Sequence, residues 1–170
     1  IWMIQTVVMI YLYLDTVLLS FFRGLGEVGL YQAAYSFVEM LFVLSAVLAT
    51  ALFPVFSRLS KEEAGKLLPF YWEVVGVIFL FCVPLGLLGI FGAKRLLALF
   101  YGPSFVSALP ALHLLWSGFL FFILGGLNAH LLIAIGREKL LLKITIACTF
   151  FNLCANLWAI PKFGFLGASA

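Results

Sequence analysis

The stretch GLYQAAYSFVEMLFVLSAVLATALFPVF, residues 29–56, decides the fold class of this chain. Glu39 is its one charged residue in 28 positions. An α-helix rises about 1.5 Å per residue, and roughly 20 apolar residues are enough to cross about 30 Å of hydrocarbon. The apolar residues form a continuous run instead of alternating with polar ones, which is untypical of a β-barrel strand. Residues 29–56 therefore predict a membrane-spanning helix.

The rest of the chain repeats this pattern. Of its 170 residues, 65% are hydrophobic and 10% are charged, whereas about a quarter of a soluble domain is charged. The apolar stretches that are long enough to span are 1–22, 29–56, 70–91, 109–135 and 140–160, and a further one begins near Gly164. The sequence predicts an all-α, polytopic membrane helical bundle with five transmembrane helices plus the start of a sixth. It excludes a water-soluble enzyme domain, a disordered tail and a nucleic-acid-binding module.

The charged residues gather in the short connections between these stretches, and their distribution predicts the orientation. Connections on the cytoplasmic side of a membrane carry an excess of Lys and Arg. The second and fourth connections hold six such residues: Arg58, Lys61, Lys66, Arg137, Lys139 and Lys143. The other three hold four: Arg23, Lys94, Arg95 and Lys162. We therefore expect Ile1 on the cytoplasmic side and the turn at 23–27 outside.

Residue 1 is Ile and lies within an apolar run. We expect residues 1–170 to form part of one transmembrane bundle and to be an internal piece of a longer chain.

Two carboxylates, Asp15 and Glu39, lie deep within predicted spans. An ionised side chain in hydrocarbon costs at least about 2.5–3.5 kcal/mol, so each should face protein, water or a partner. The tight turn between the first two spans places both in the outer half of the membrane. One interpretation is a hydrated cavity whose wall includes both acids. The other is a buried carboxylate held by hydrogen bonds from Tyr11 or a neighbouring helix. We favour the cavity for Glu39 and leave both interpretations open for Asp15.

Polar side chains form a stripe on two of the predicted helices. In the second span, residues within about 40° of one line are Gln32, Ser36, Glu39, Ala46 and Thr50, and the apolar Val43 lies on that line too. In the fifth span they are Thr145, Cys148, Asn152, Asn156 and Ala159. Such a stripe marks either a seam between helices or a water-filled path. We favour interhelical hydrogen bonds for Asn152 and Asn156, and retain both amides, with Gln32 and with Asn128 of the fourth span, as candidate pathway residues.

Enzyme chemistry has little support in the sequence. The connections contain no pair of aspartates for a metal-bound sugar nucleotide and no phosphate-binding glycine loop before a basic residue. The three cysteines, at 82, 148 and 154, lack metal-ligand spacing. We therefore expect no catalytic residue, no metal and no cofactor. The acids at 27, 62, 63 and 138 are interpreted as balancing surface charges.

The segment YLYLDTVLLSFF at 11–22, followed by EVGLYQAAY at 27–35, resembles one branch of a known exporter superfamily. This is the polysaccharide-biosynthesis branch, the O-antigen-type oligosaccharide flippases, of the multidrug/oligosaccharidyl-lipid/polysaccharide exporters. Further segments match that family in the same order: ALFPVFSR at 51–58, LFYGPSF at 99–105, AIGREK at 134–139 and IPKFGFLGA at 160–168. The order and spacing of these segments carry the resemblance.

The resemblance implies a transporter with two helical bundles related by a parallel repeat, of which this chain would be most of the second. It implies flipping of a polyprenyl-diphosphate-linked oligosaccharide across the cytoplasmic (inner) membrane by alternating access. The partners would be that lipid-linked oligosaccharide, membrane lipids and a coupling ion, H⁺ or Na⁺. Glu39 and then Asp15 would be the cavity groups, and Arg23 a phosphate-binding or structural group.

Alternatives are a lipid II-type flippase or a cation-coupled multidrug exporter of the same superfamily. A membrane enzyme that transfers glycans is more remote, because it would need a large external loop with catalytic residues.

Overall fold

The computed structural model describes residues 2–169, which fold into seven α-helices and one 3₁₀ segment. The all-α fold class is confirmed. The helices are α1 (Trp2–Arg23), α2 (Leu25–Glu62), α3 (Ala64–Phe100), α4 (Leu109–Ser117), α5 (Phe119–Ala134), α6 (Glu138–Phe163) and α7 (Phe165–Ala168); the 3₁₀ segment is Pro103–Ala108. Ile1, where we expect the first span to begin, lies outside the described residues.

Four helices, α1, α2, α3 and α6, are each long and apolar enough to cross a membrane. The segment Pro103–Ser117 and helix α5 meet at 41° and make a fifth span if the bent pair is counted as one. The bend lies at Ser117 and Gly118, and pairs of Ser and Gly are common sites of helix kinks. Only four residues of α7 follow Gly164, so the sixth span stays a prediction.

The predicted connection 57–69 is wrong, because these residues are almost all helical. Helices α2 and α3 contain 38 and 37 residues, and Glu63 alone separates them. Each helix is about 55 Å long, whereas the hydrocarbon is about 30 Å thick. A hydropathy pattern locates the membrane crossing, but Glu and Lys are good helix formers and continue the helix into water.

Two further predicted boundaries are wrong for related reasons. The connection predicted at 92–108 is helical as far as Phe100 and then forms the 3₁₀ segment. Pro161 lies inside α6, which ends at Phe163 instead of at 160. The chain leaves α6 through Gly164, whose φ of 60° is a backbone conformation that favours glycine.

Helix α2 is at the centre of the bundle and contributes to all three clusters of buried apolar side chains. Ala34 and Phe37 pack with α3 and α4, and Phe56 packs with α3 and α5. Tyr31 and Tyr35 pack with α1, α6 and α7. The polar groups of α2 are therefore held at fixed positions relative to every other long helix.

The closest approach between α3 and α4 occurs at Gly89, where a Cβ atom would overlap the indole ring of Trp116. Trp116 is only 7% exposed, so the ring has little room to move. We predict that Gly89→Ala lowers the free energy of unfolding by about 1–3 kcal/mol, the usual cost of overpacking a core. Thermal denaturation of the detergent-solubilised protein measures the change. Gly92→Ala is the matched control on the same helix, since a Cβ at Gly92 meets nothing within 4 Å. Equal midpoints for the two variants would contradict the prediction.

Candidate functional site

Asp15 lies where α1, α2 and α6 meet, and each of its carboxylate oxygens accepts a hydrogen bond. The Asn156 side-chain amide on α6 donates to Oδ1 at 2.7 Å, and the Tyr31 hydroxyl on α2 donates to Oδ2 at 3.3 Å. Both donors are buried, with Tyr31 1% exposed and Asn156 4% exposed. Asp15 is therefore held by two neighbouring helices, and Tyr11 is not among its recorded hydrogen-bond donors.

A cavity of about 300 Å³ opens beside Asp15. Its polar lining comes from Tyr11, Asp15, Tyr35, Ser117, Asn152 and Ser169, and aromatic side chains of α2 and α5 form much of the rest. The Asn152 Oδ1 atom is buried and has no hydrogen-bond partner among the described residues. The cavity thus combines a carboxylate with an unpartnered amide oxygen, and no basic residue lines it. Such a set of acceptors suits water, a hydroxyl donor or a small cation.

The structure brings three of the predicted pathway residues together, namely Asp15, Asn152 and Asn156. Asn128 lies elsewhere: it is exposed on α5, and its Oδ1 accepts a hydrogen bond of 2.9 Å from the Tyr71 hydroxyl on α3. A role for any of these groups in a transport pathway stays a prediction.

Glu39 is separate from the Asp15 cavity. It is half-buried on α2, does not line that cavity, and makes no recorded side-chain hydrogen bond or salt bridge among residues 2–169. Within its stripe, Gln32, Ala46 and Thr50 are exposed and face away from the bundle, whereas Ser36 is half-buried and shares a hydrogen bond with the Tyr101 hydroxyl. The cavity found beside Asp15 is therefore not the cavity lined by both acids that one interpretation of the sequence predicts. The two acids lie at two places, one between helices and one on an uncovered face of α2.

Arg23 and Glu27 hold the corner between α6 and α7. Arg23 donates from Nε to the carbonyl of Ile160 at 3.3 Å and from Nη2 to that of Pro161 at 2.7 Å. Glu27 accepts a 2.9 Å hydrogen bond from the backbone amide of Phe165. A cation at the C-terminal end of a helix and an anion at the N-terminal end both favour the helix dipole. In this structure Arg23 has structural partners, and Glu27 both balances the charge of Arg23 at 4.0 Å and holds the start of α7 through its backbone contact.

This arrangement predicts a stability effect at a residue that does not line the Asp15 cavity. Glu27→Ala removes the acceptor of the Phe165 amide and should lower the free energy of unfolding by about 0.5–2 kcal/mol, as for other lost N-terminal caps. Chemical denaturation followed by circular dichroism measures it. Glu62→Ala removes an exposed glutamate for which no salt bridge is recorded and should leave stability unchanged. A Glu27 variant as stable as the Glu62 variant would show that the corner does not need this contact.

Sequence reasoning missed Tyr31, Glu27 and Glu73. The sequence did contain a signal for Tyr31. Asp15 lies eight residues before Arg23 and Tyr31 lies eight residues after it, so the turn at Arg23 places Asp15 and Tyr31 at the same depth. Glu73 lies three residues inside the predicted third span and is exposed on α3. The backbone amide that donates to Glu27 belongs to Phe165, 138 residues away along the chain, and no local pattern indicates that contact.

The helices and their buried polar groups define a multi-pass helical membrane protein, and comparison with known proteins places it further. Residues 3–60 match the sequence profile of the family described as "Polysaccharide biosynthesis protein". The chain is 32% identical over 159 residues to an uncharacterised membrane protein of Methanocaldococcus jannaschii. It is 24% identical over 163 residues to a Shigella flexneri protein named "Putative O-antigen transporter". These matches confirm the resemblance found in the sequence: residues 3–60 are similar to polysaccharide biosynthesis proteins, and most of the chain is similar to a protein named as a putative O-antigen transporter.

Each match covers 92% of this chain but 31% and 37% of the respective relatives. The chain thus spans about a third of the length of the curated relatives that it matches. No solved structure gives a significant match to it. The names of the family and of the Shigella protein suggest transport and not catalysis.

Proposed function

We propose that this chain is part of a transporter that flips a polyprenyl-diphosphate-linked oligosaccharide across the cytoplasmic membrane for cell-surface polysaccharide assembly. The mechanism is alternating access, in which two bundles rock around a hydrated path. The observation that carries the proposal is the uncovered polar face of α2 around Glu39, in a chain related to polysaccharide biosynthesis proteins.

The small size of the Asp15 cavity supports placing the path of the glycan elsewhere. Pockets for small molecules measure roughly 300–1,000 Å³, and the cavity of about 300 Å³ is at the lower limit. An oligosaccharide of several sugars, followed by a diphosphate, needs a larger channel. The glycan path therefore lies outside this group of helices.

The uncovered face of α2 provides one wall for such a path. In hydrocarbon, Glu39 and its polar neighbours would face lipid at a cost of at least about 2.5–3.5 kcal/mol for the ionised carboxylate alone. The face escapes this cost if it lines water shared with another part of the transporter. Sugar hydroxyls then meet the Glu39 carboxylate and the Gln32 amide, for which no competing side-chain hydrogen bond is recorded among the described residues.

A second candidate function rests on the Asp15 cavity itself. Its acceptors and the absence of a lining basic residue suit a small cation. That observation favours a cation-coupled exporter of small cationic compounds from the same superfamily. If the glycan proposal holds, the same cavity is the place for a coupling ion.

Reconstitution distinguishes the two functions. The protein expressed from its natural reading frame is placed in proteoliposomes with a polyprenyl-diphosphate oligosaccharide, and a glycosidase added outside reports the arrival of the glycan. A fluorescent cationic dye is tested in parallel. We expect the protein to speed glycan exposure and to leave dye movement at the rate of protein-free vesicles. Dye transport without glycan transport would contradict the proposal and favour the exporter.

A further inference from the structure

A second cavity, of about 690 Å³, lies between the C-terminal half of α2, the start of α3 and the α5–α6 turn. Its polar lining consists of Ser57, Ser60, Lys61 and Arg137, with Phe53 and Leu67 among its apolar residues. It shares no lining residue with the Asp15 cavity. The function proposed above assigns no role to this cavity.

The charges of this cavity are unbalanced. Two cations, Lys61 and Arg137, line it, and no carboxylate of residues 2–169 does. Within residues 2–169 neither cation forms a salt bridge, whereas Lys66 pairs with Glu63. The two positive charges repel each other. A bound anion is attracted to both of them, and these two attractions offset the repulsion. Arg and Lys are the usual ligands of phosphate, with the guanidinium able to bind two of its oxygens.

The depth of the cavity indicates where that anion comes from. The predicted second span ends at 56 and the fourth at 135, so Lys61 and Arg137 follow the ends of their spans by five and two residues. Side chains at that level lie among lipid headgroups, and the charge distribution predicts that this is the cytoplasmic side. Phe53 and Leu67 continue the cavity wall with apolar surface, which suits the part of a lipid next to its headgroup.

We propose that this cavity binds the phosphate group of an anionic membrane lipid, with Lys61 and Arg137 as its ligands. Two sources share this chemistry, a bilayer phospholipid and a polyprenyl diphosphate. Binding at this place requires no transport, so the inference stands or falls separately from the proposed function.

Lipid titrations of the detergent-solubilised protein, expressed from its natural reading frame, test the site. The probes are dioctanoyl phosphatidylglycerol, zwitterionic dioctanoyl phosphatidylcholine and farnesyl diphosphate, and isothermal titration calorimetry gives the Kd. The double variant Lys61→Gln/Arg137→Gln should bind whichever anionic probe the unchanged protein prefers, phosphatidylglycerol or farnesyl diphosphate, at least about tenfold more weakly. This is a loss of roughly 1.4 kcal/mol or more in binding free energy. The matched control is Arg58→Gln/Lys143→Gln, which removes the same charge from exposed residues that do not line the cavity.

A third variant, Ser57→Phe, fills the cavity without changing its charge and should also weaken binding, so the test survives if the double variant does not fold. Tighter binding of phosphatidylglycerol identifies the source as a bilayer lipid, and tighter binding of farnesyl diphosphate identifies a polyprenyl carrier. If the Lys61/Arg137 variant and the Arg58/Lys143 control lose the same amount of affinity, the lipid is attracted by the general surface charge, and the proposed site is wrong. Equal affinity for phosphatidylglycerol, phosphatidylcholine and farnesyl diphosphate would overturn it as well.

Discussion

Glu39→Ala is expected to reduce export of the surface glycan to background while leaving the amount of protein in the membrane unchanged. Glu39 is half-buried on α2, and no hydrogen bond or salt bridge of its side chain is recorded within residues 2–169. Its removal therefore breaks no hydrogen bond or salt bridge found among residues 2–169. A carboxylate without such contacts within the membrane is costly, and its usual role is functional.

Export is measured in cells whose surface glycan depends on the protein, and membrane levels are measured by immunoblot. Glu73→Ala is the matched control, because Glu73 is an exposed glutamate on α3 near the end of a predicted span. Glu39→Gln separates charge from hydrogen bonding, since the amide keeps one acceptor for a sugar hydroxyl. Normal export by Glu39→Ala would remove Glu39 from the pathway and with it the main support for the proposed path.

The positions of the long helices could be predicted because hydrophobic runs report directly on the cost of placing residues in hydrocarbon. Their ends could not. The single residue Glu63 joins α2 to α3, and nothing in the charge pattern of 57–69 distinguishes a helical extension from a loop. Hydropathy could not predict the bend at Gly118 either, because the segments on both sides of the bend are apolar.

The candidate site shows the same division between local and distant information. Helical periodicity correctly grouped Asn152 and Asn156 on one face of α6, and the depth that turn geometry gives for Asp15 stays a prediction. Periodicity defines a face but not the helix that packs against it, so the hydrogen bond between Asn156 and Asp15 required the structure. The contact of Arg23 with the carbonyl of Pro161 spans 138 residues and was equally inaccessible.

Asp15→Leu is expected to destabilise the bundle strongly. The change leaves the Tyr31 hydroxyl and the Asn156 amide, both buried, without the acceptor that they share. An unsatisfied buried donor costs about 1–3 kcal/mol, so two of them cost about 2–6 kcal/mol together. Thermal denaturation of the purified protein, with Asn128→Leu as a control at an exposed amide, measures the loss. A melting temperature equal to that of the control would show that these hydrogen bonds contribute nothing.

Asp15→Asn distinguishes a structural carboxylate from a functional one. The amide oxygen still accepts from Asn156, and the amide nitrogen donates to the Tyr31 hydroxyl oxygen, so stability should stay near that of the unchanged protein. Only the negative charge is lost, and an ion-coupled transporter should then lose transport although it folds. Normal transport by Asp15→Asn would assign Asp15 to packing alone.

The double variant Asp15→Leu/Tyr31→Phe makes the stability argument quantitative. Tyr31→Phe alone removes one donor to Asp15 and should cost about 0.5–1.5 kcal/mol, the net value of a typical hydrogen bond. In the Asp15→Leu background the same change removes a donor that no longer has its partner, so it should be neutral or stabilising. The double variant should therefore lose less free energy of unfolding than the sum of the two single variants, as is usual for residues in one hydrogen-bond network. Strict additivity would mean that the 3.3 Å contact between Tyr31 and Asp15 has no energetic weight, and that Asn156 alone positions the carboxylate.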